Sequence, residues 1–168
     1  AEALLYAADR AHHVYSVIRP ALAQGEVVIS DRYFDSSIAY QGAGRVLSPG
    51  EVARISRWAT ESLFPTLTIV IDLPAEIGIG RLKNRDRLEA EPIAFHERVR
   101  QEFLQIARLD PERYLVVDGT QSIDAIHNEI TKRIALLPAI SHEIKKPKIK
   151  KTIKSSIKKP VKKSAKKK

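Results

Sequence analysis

The chain has 168 residues, which is long enough for one domain with a sizeable hydrophobic core. It contains no cysteine, so disulfides, thiolate metal sites and thiol nucleophiles are excluded. Although the formal net charge is +9, residues 1–144 hold 16 basic side chains against all 20 acidic ones, a net charge of −4. No apolar run has the length of a membrane span and the N-terminus lacks a signal-peptide pattern, so we expect a soluble, cytoplasmic protein.

Apolar periodicity and turn residues divide the first 137 residues into helices and strands. In chain order the predicted elements are a helix over 2–24, a strand over 26–30, a polar loop over 31–45, a helix over 49–61, a strand over 68–73, a helix over 74–83, a helix over 92–109, a strand over 114–118 and a helix over 122–137. Residues Ser48 to Glu51 resemble a capping box with proline at the first helical position. Trp58, in the helix that follows, is expected to lie in the core.

The alternation of three apolar strands with helices predicts an α/β fold, in which a parallel sheet is covered on both faces. Three strands are few for such a sheet. Because the chain also begins at Ala1 and contains no methionine, we expect a fragment whose N-terminal strands are missing.

The composition changes after Pro138. Residues 145–168 hold 13 lysines and no acidic residue, which is typical of disorder because like charges repel and little apolar surface can be buried. We predict a folded domain over 1–140 and a disordered lysine-rich tail over 141–168. Periodic isoleucines leave a basic amphipathic helix open as an alternative. Residues 145–168 can contact polyanions non-specifically, so a non-catalytic nucleic-acid-binding protein acting through the tail is an alternative function.

The polar loop after the first strand holds the side chains that a phosphorylated small molecule needs. Arg32 offers a planar, permanently charged fork of donors suited to a phosphate. Asp31 can hold that guanidinium or orient water on a magnesium ion. Donors and acceptors for a sugar or a base edge follow at Ser36, Ser37, Tyr40 and Gln41. For the dipeptide Asp31-Arg32 alone, a structural salt bridge is the favoured interpretation.

Tyr6 and Arg10 lie four residues apart in the first predicted helix, so they share one helix face. Taken alone, such a pair is more often the edge of a core beside a solvated surface.

These motifs together resemble one family. The stretch from Asp31 to Gly42 resembles the thymidylate kinase signature Asp-Arg-Tyr-x-x-Ser-x-x-Ala-Tyr-Gln-Gly, and Leu4 to Val14 resembles the helix that lines the pocket in that family. The resemblance covers residues 1–137 and implies a three-layer P-loop nucleoside monophosphate kinase fold. It also implies phosphoryl transfer from ATP to thymidine monophosphate, giving thymidine diphosphate for dTTP synthesis.

The resemblance implies a role for each residue of the acceptor side. Tyr6 would stack on thymine, Arg10 would read its exocyclic oxygen, and Arg32 would bind the phosphate. Tyr40 would pack against the sugar where a 2′-hydroxyl would otherwise sit. Asp31 would be a catalytic residue beside the phosphates and would meet Mg²⁺ through water. The substrate-binding set is completed by Ser36 and by two residues near the base, Ser37 and Gln41.

The segment from Gly80 to Glu89 resembles the mobile lid that covers ATP in this family. Phosphoryl transfer depends on cationic groups at the moving phosphoryl, and the resemblance implies this catalytic role for Arg85 and Arg87. Arg81 and Gln121 would bind the cofactor beside adenine. ATP, Mg²⁺ and a second copy of the chain in a homodimer are implied as well.

Two motifs of the family are absent from the sequence. There is no phosphate loop of the form Gly-x-x-x-x-Gly-Lys-Ser/Thr and no Arg-Glu-Pro-Gly-Gly segment. We therefore expect no turnover from this chain alone. Another P-loop nucleoside monophosphate kinase, acting on uridylate or guanylate, is the nearest alternative, although Tyr6, Arg10 and the Tyr40-Gln41 pair favour thymidylate.

Overall fold

The computed structural model describes residues 1–43, 48–82 and 86–137. Its elements are α1 (Glu2–His13), a first π-helical segment (Val14–Ile18), α2 (Arg19–Ala23), α3 (Phe34–Ser37), a second π-helical segment (Ile38–Ala43), α4 (Pro49–Ala59), β1 (Thr68–Asp72), α5 (Ala75–Gly80), α6 (Ile93–Leu109), β2 (Tyr114–Asp118) and α7 (Ile123–Ala135). Within the described ranges, no helix is both long and apolar enough to cross a membrane. The predicted tail, 141–168, lies outside these ranges.

The first helical region runs without a break from Glu2 to Ala23, as predicted, although its middle segment is π-helical. Its buried apolar residues are Ala7, Val14 and Ile18. Their spacing of seven and four residues places them on one stripe, the pattern of a helix packed along one face.

The strand predicted over 26–30 is wrong. The segment has no regular secondary structure, and two of its three apolar side chains are exposed, Val27 at 67% and Ile29 at 91%. In the described part of the chain β1 and β2 are the strands that pair, so residues 26–30 have no neighbour there with which to form a ladder. Apolar composition cannot form a strand without such a partner.

β1 and β2 form a two-stranded parallel sheet in the described residues. Thr68 pairs with Tyr114 and Asp72 pairs with Asp118, so both aspartates lie at the carboxyl ends of their strands. Gly119 approaches β1 closely at this edge, because an added Cβ would lie 2.9 Å from the Asp72 carbonyl oxygen. The predicted α/β class with parallel strands is confirmed.

The segment predicted as a polar loop over 31–45 instead contains two helical pieces, α3 and the second π-helical segment. Its apolar side chains are buried in two clusters, Phe34 and Ile38 with Val52 of α4, and Ala39 with Phe95 and Val99 of α6. Burial of these apolar side chains outweighed the polar composition that suggested a loop. Residues 44 and 45 of this prediction lie outside the described residues.

Two expectations for α4 are wrong. Pro49 is the first helical residue, as predicted, but the side chain of Ser48 makes no capping hydrogen bond. Trp58 is 82% exposed and does not lie in the core. The buried stripe of α4 contains Val52 and Ser56, and a residue two positions beyond that stripe projects from the opposite side of the helix.

The other helices begin close to their predicted positions. α6 begins directly after Pro92, and α7 begins directly after Ser122, whose Oγ accepts a hydrogen bond from the Ala125 N–H at 3.2 Å. α5 ends at Gly80, three residues before the predicted end.

An ion pair at the carboxyl end of β1 makes stability depend on pH. Arg100 of α6 donates from Nε to Asp72 Oδ1 at 2.6 Å and from Nη2 to Oδ2 at 2.9 Å. These hydrogen bonds lower the pKa of Asp72 below its ordinary value. The stabilisation is therefore complete above the unfolded pKa, about 3.9, and is lost as the pH falls through the lower pKa of the folded chain.

We expect Asp72→Asn to lower the free energy of unfolding by about 1 kcal/mol at neutral pH. The difference from the wild type should shrink as the pH is lowered from about 4, because the wild-type carboxylate is protonated as the pH falls through its lower folded-state pKa and loses the same interaction. Urea denaturation of both chains across this range measures it. A difference that stays constant down to about pH 2 would show that this ion pair does not set the acid response.

Candidate functional site

Arg32 and Tyr40 form a directly bonded pair in the candidate site. Arg32 Nη2 donates to the Tyr40 hydroxyl at 3.1 Å, and the guanidinium carbon lies 4.9 Å from the centroid of the ring, within cation–π range. In the described residues Tyr40 is the one hydrogen-bond partner of this exposed guanidinium. Most of its N–H donors therefore remain available to an anion.

The backbone at Arg32 is strained. Its φ of +63° lies in the left-handed region, which costs a residue with a side chain about 1–2 kcal/mol. Ser30 stabilises this turn, since its hydroxyl donates to the Arg32 carbonyl oxygen at 2.9 Å. Backbone strain of this kind is concentrated at ligand-binding and catalytic positions.

Helix α6 holds the ring of Tyr40 in place. The ring centroid lies 6.2 Å from that of Phe95 and 6.3 Å from that of Phe103, in tilted and edge-to-face geometries. The hydroxyl that meets Arg32 is therefore carried by a ring with little freedom to move.

Two predicted binding residues carry buried polar atoms that have no partner in the described structure. Gln41 is 4% exposed and its Oε1 accepts no hydrogen bond. Arg10 Nη1 donates none, and burial lowers the pKa of this guanidinium below its ordinary value. Because buried polar groups in native proteins are almost always paired, these atoms point to a ligand that offers an acceptor to Arg10 and a donor to Gln41.

The other predicted residues of the acceptor side lie on helices that pack against each other. α1 packs against α3, which brings the helix that carries Tyr6 and Arg10 beside the one that carries Ser36 and Ser37. Arg10 also lies over the ring of Tyr33, with the guanidinium carbon 5.8 Å from the centroid. Tyr6 is 41% exposed, as a ring that stacks on a ligand must be in the free protein.

Asp31 fits an indirect role at a metal ion. In the described part of the chain no three His, Asp or Glu side chains form a group that could hold a metal. Mg²⁺ usually keeps several waters and is held by one or two carboxylates together with substrate phosphates. The exposed Asp31 carboxylate suits contact with metal-bound water and does not suit a cage built by the protein.

The residues predicted for the donor side are not brought together. Arg81, Arg87 and Gln121 are all exposed, and no hydrogen bond joins any two of them in the described structure. Arg87 Nη2 instead lies 3.3 Å from Glu2 Oε1 on α1. Arg85 lies outside the described residues.

Sequence reasoning missed a buried ionic cluster, which we call the Asp35 cluster and which consists of Asp35, Arg113 and Tyr114. Asp35 is 3% exposed. It accepts a hydrogen bond from the Tyr114 hydroxyl at 2.5 Å and two from Arg113, from Nη1 and Nη2, at 3.3 Å each. Burial and the contact with Asp35 raise the pKa of Tyr114, so its hydroxyl stays protonated as a donor. The one feature of the sequence that could have indicated this cluster is an acidic residue between the apolar residues Phe34 and Ile38.

A surface groove of about 430 Å³ lies elsewhere in the described structure, along one face of α6. Its lining residues are Ala94, Glu97, Arg98, Gln101, Glu102 and Gln105. None of them was predicted to bind a ligand, and the groove contains none of the residues described above. It therefore serves as an internal reference surface for binding experiments.

Comparison with known families identifies the family to which the chain belongs. The family model described as thymidylate kinase matches residues 1–130. The chain belongs to the thymidylate kinase family. The resemblance read from the Asp31 and Tyr6 motifs is thus confirmed, together with the α/β kinase fold that it implied.

Individual thymidylate kinases are similar in sequence to most of this chain. The "Thymidylate kinase" of Leifsonia xyli subsp. xyli is 56% identical over 138 residues, which are 80% of this chain and 65% of the relative. That of Clavibacter sepedonicus is 55% identical over 143 residues, 83% of this chain and 68% of the relative. That of Lactobacillus acidophilus is 45% identical over 138 residues, 79% of this chain and 64% of the relative. The chain spans about two thirds of the length of these relatives.

Proposed function

We propose that this chain provides the thymidylate-binding half of an enzyme that transfers the terminal phosphoryl group of ATP to thymidine monophosphate. The products are thymidine diphosphate and ADP. The observation that carries the proposal is the Arg32–Tyr40 pair on the same short segment as the buried, unpaired Gln41 Oε1. Relatives that carry the name thymidylate kinase support it.

The phosphate of the acceptor nucleotide is assigned to Arg32. Its guanidinium is exposed and anchored at one nitrogen by Tyr40, so the fork is oriented before the ligand arrives. A planar guanidinium binds two phosphate oxygens at once, which fixes both position and direction.

The thymine base is assigned to Arg10, Gln41 and Tyr6. Thymine presents an acceptor at its exocyclic O4 and a donor at N3–H, which are the partners that Arg10 Nη1 and Gln41 Oε1 lack. Cytosine presents the opposite pattern at the same two positions and is disfavoured. The exposed ring of Tyr6 stacks on the base.

The sugar is assigned to Tyr40. Because Phe95 and Phe103 support this ring, it cannot move away from an added 2′-hydroxyl. This contact favours deoxyribonucleotides, and it is needed because uracil and thymine share the edge that Arg10 and Gln41 would read.

The phosphoryl donor is assigned to the lid and to the loop after β2. Arg85 and Arg87 would meet the moving phosphoryl, and Arg81 and Gln121 would lie beside adenine. The Arg87–Glu2 pair is exposed on the arginine side, so giving it up costs at most about 1 kcal/mol. Mg²⁺, when bound with ATP, neutralises phosphate charge, and Asp31 would accept a hydrogen bond from one of its waters.

Isothermal titration of the 168-residue chain with nucleoside monophosphates tests this function. We expect thymidylate to bind at least about 10-fold more tightly than uridylate. Uridylate lacks the methyl group of thymine and carries a 2′-hydroxyl, and both differences should weaken its binding. Guanylate and cytidylate should bind more weakly still. Tighter binding of uridylate or guanylate would overturn the assignment. No ATP-dependent turnover is expected, because the sequence contains no phosphate loop.

The lysine-rich tail is an appendage under this proposal. We expect deletion of residues 145–168 to leave the thymidylate dissociation constant within about twofold, while removing any salt-dependent binding to DNA, measured by fluorescence anisotropy. Loss of thymidylate binding, or DNA binding that survives the deletion, would favour a role for the chain that the kinase proposal does not contain.

We also infer a homodimer that forms through the first helical region, from Glu2 to Ala23. The helical region from Glu2 to Ala23 exposes large apolar side chains: Leu4, Leu5, Tyr15, Val17 and Leu22. A patch of this kind usually marks a protein interface. Tyr15→Glu is expected to halve the mass measured by light scattering, whereas Ile123→Glu, at an equally exposed position on α7, should leave it unchanged. A wild-type mass equal to one chain would contradict the dimer.

A further inference from the structure

The Asp35 cluster joins the predicted thymidylate-binding segment to the sheet. Asp35 lies in α3; its partner Arg113 directly precedes β2, and its partner Tyr114 is the first residue of β2. Arg113 Nη1 also donates to Thr68 Oγ1 at 3.2 Å, at the start of β1, and Nε donates to Asp110 Oδ2 at 2.9 Å. One guanidinium thus connects α3 to both strands.

The cluster is enclosed as well as bonded. The side chains of Asp35 and Arg113 are 4% and 14% exposed. Phe34, Phe64 and Tyr114 surround the guanidinium, with ring centroids 5.5, 5.8 and 4.3 Å from its central carbon. Although burial disfavours the charge, the hydrogen bonds to Asp35 and Asp110 keep the pKa of Arg113 above its ordinary value. A buried pair with this geometry has one arrangement and little freedom to change it.

The cluster does not itself contact the nucleotide. Asp35 is almost fully buried and its carboxylate is engaged by Arg113 and Tyr114. Thr68 and Tyr114 are the first residues of their strands, roughly 13 Å from the carboxyl ends by the rise of a parallel strand. An effect of Asp35 on ligand binding would therefore have to act through the segment that carries it.

That segment carries five of the predicted acceptor residues, among them Arg32, Tyr40 and Gln41. Arg32 lies three residues before Asp35, and Tyr40 and Gln41 lie five and six residues after it. Arg32 and Tyr40 are joined by a hydrogen bond, which ties the two ends of the stretch together. In the described structure, hydrogen bonds between residues 31–41 and the two strands come from the Asp35 cluster alone.

We propose that Asp35, Arg113 and Tyr114 are positioning residues that fix α3 and the second π-helical segment on the sheet, and so hold Arg32, Tyr40 and Gln41 in their binding arrangement. The identity of the ligand rests on the function proposed above. The anchoring itself can be measured without a ligand.

Asp35→Asn tests the proposal with little change in shape. We expect the thymidylate dissociation constant to rise about tenfold, measured by titration at a temperature where circular dichroism shows the variant fully folded. Amide hydrogen exchange should accelerate over residues 34–41 and stay unchanged in α7. Asp110→Asn is the matched control, because it removes a carboxylate from the same arginine on its exposed side and should alter neither readout.

Tyr114→Phe keeps the ring and removes only the hydroxyl that donates to Asp35. It should accelerate amide hydrogen exchange over residues 34–41 as Asp35→Asn does, and it should raise the thymidylate dissociation constant by less. If Asp35→Asn does not fold, Tyr114→Phe replaces it as the test. Wild-type affinity in a folded variant, or exchange that accelerates equally in 34–41 and α7, would overturn the positioning role. If the wild type binds no thymidylate, the proposed function fails, and the exchange pattern alone then decides the anchoring.

Discussion

Replacing Arg32 with alanine is expected to weaken thymidylate binding by about 10- to 100-fold and to leave thymidine binding nearly unchanged. A hydrogen bond to a charged group contributes about 1.5–3 kcal/mol, which corresponds to that range of affinity. The effect should be confined to the phosphate, because Arg32 is exposed and has Tyr40 as its hydrogen-bond partner in the described residues. Calorimetric titration of both chains with thymidylate and with thymidine measures it.

Two further substitutions at this position separate the side chain from the backbone. Arg32→Lys keeps the charge and loses the planar fork, so it should recover only part of the affinity. Arg32→Gly should bind as weakly as Arg32→Ala but unfold with a free energy about 1 kcal/mol higher, because the φ of +63° strains alanine and not glycine. An equal loss of affinity for thymidine and thymidylate in Arg32→Ala would contradict the phosphate role.

Replacing Arg113 with alanine is expected to lower the free energy of unfolding by about 3–5 kcal/mol. The substitution leaves the buried Asp35 carboxylate without its cationic partner and opens space among three aromatic rings. Urea denaturation at neutral pH, followed by circular dichroism, measures the change.

Arg100→Ala is the control for this prediction. Arg100 also pairs with a carboxylate through two hydrogen bonds, but the side chains of Arg100 and Asp72 are about a quarter exposed. A more accessible pair contributes less, and we expect a loss of about 1 kcal/mol. Equal losses for the two arginines would mean that burial does not give the Asp35 cluster its stability.

The elements that sequence predicts well here are those whose local signals agree. β2 begins and ends where predicted, because a short apolar run lies between a turn at Asp110-Pro111 and Gly119. α6 likewise combines apolar periodicity with Pro92 at its start. The strand over 26–30 was predicted from the same kind of run, but its formation depends on a neighbour that composition cannot reveal. Trp58 was assigned to the core by residue type, whereas the helix face decides burial.

The residues of the candidate site were predicted or missed for similar reasons. Arg32, Tyr40, Tyr6 and Arg10 could be predicted as binding residues because they lie within short motifs whose residue types indicate their chemistry. The Asp35 cluster was missed because Asp35 and Arg113 are 78 residues apart along the chain, and neither residue is distinctive alone. Helical structure at 34–43 was missed because the hydroxyl and amide side chains of this segment suggested a loop, whereas its apolar residues determine how it packs.

The most direct test of the central claim is a titration of the ¹⁵N-labelled chain with thymidylate, followed by NMR. The predicted result is a set of shifts at the backbone amides of Tyr6, Arg10, Arg32 and Tyr40 and at the side-chain amide of Gln41, with no shifts at Arg98 and Gln101 in the α6 groove. Shifts confined to the groove, or none at saturating thymidylate, would contradict the assignment of this segment as a thymidylate pocket.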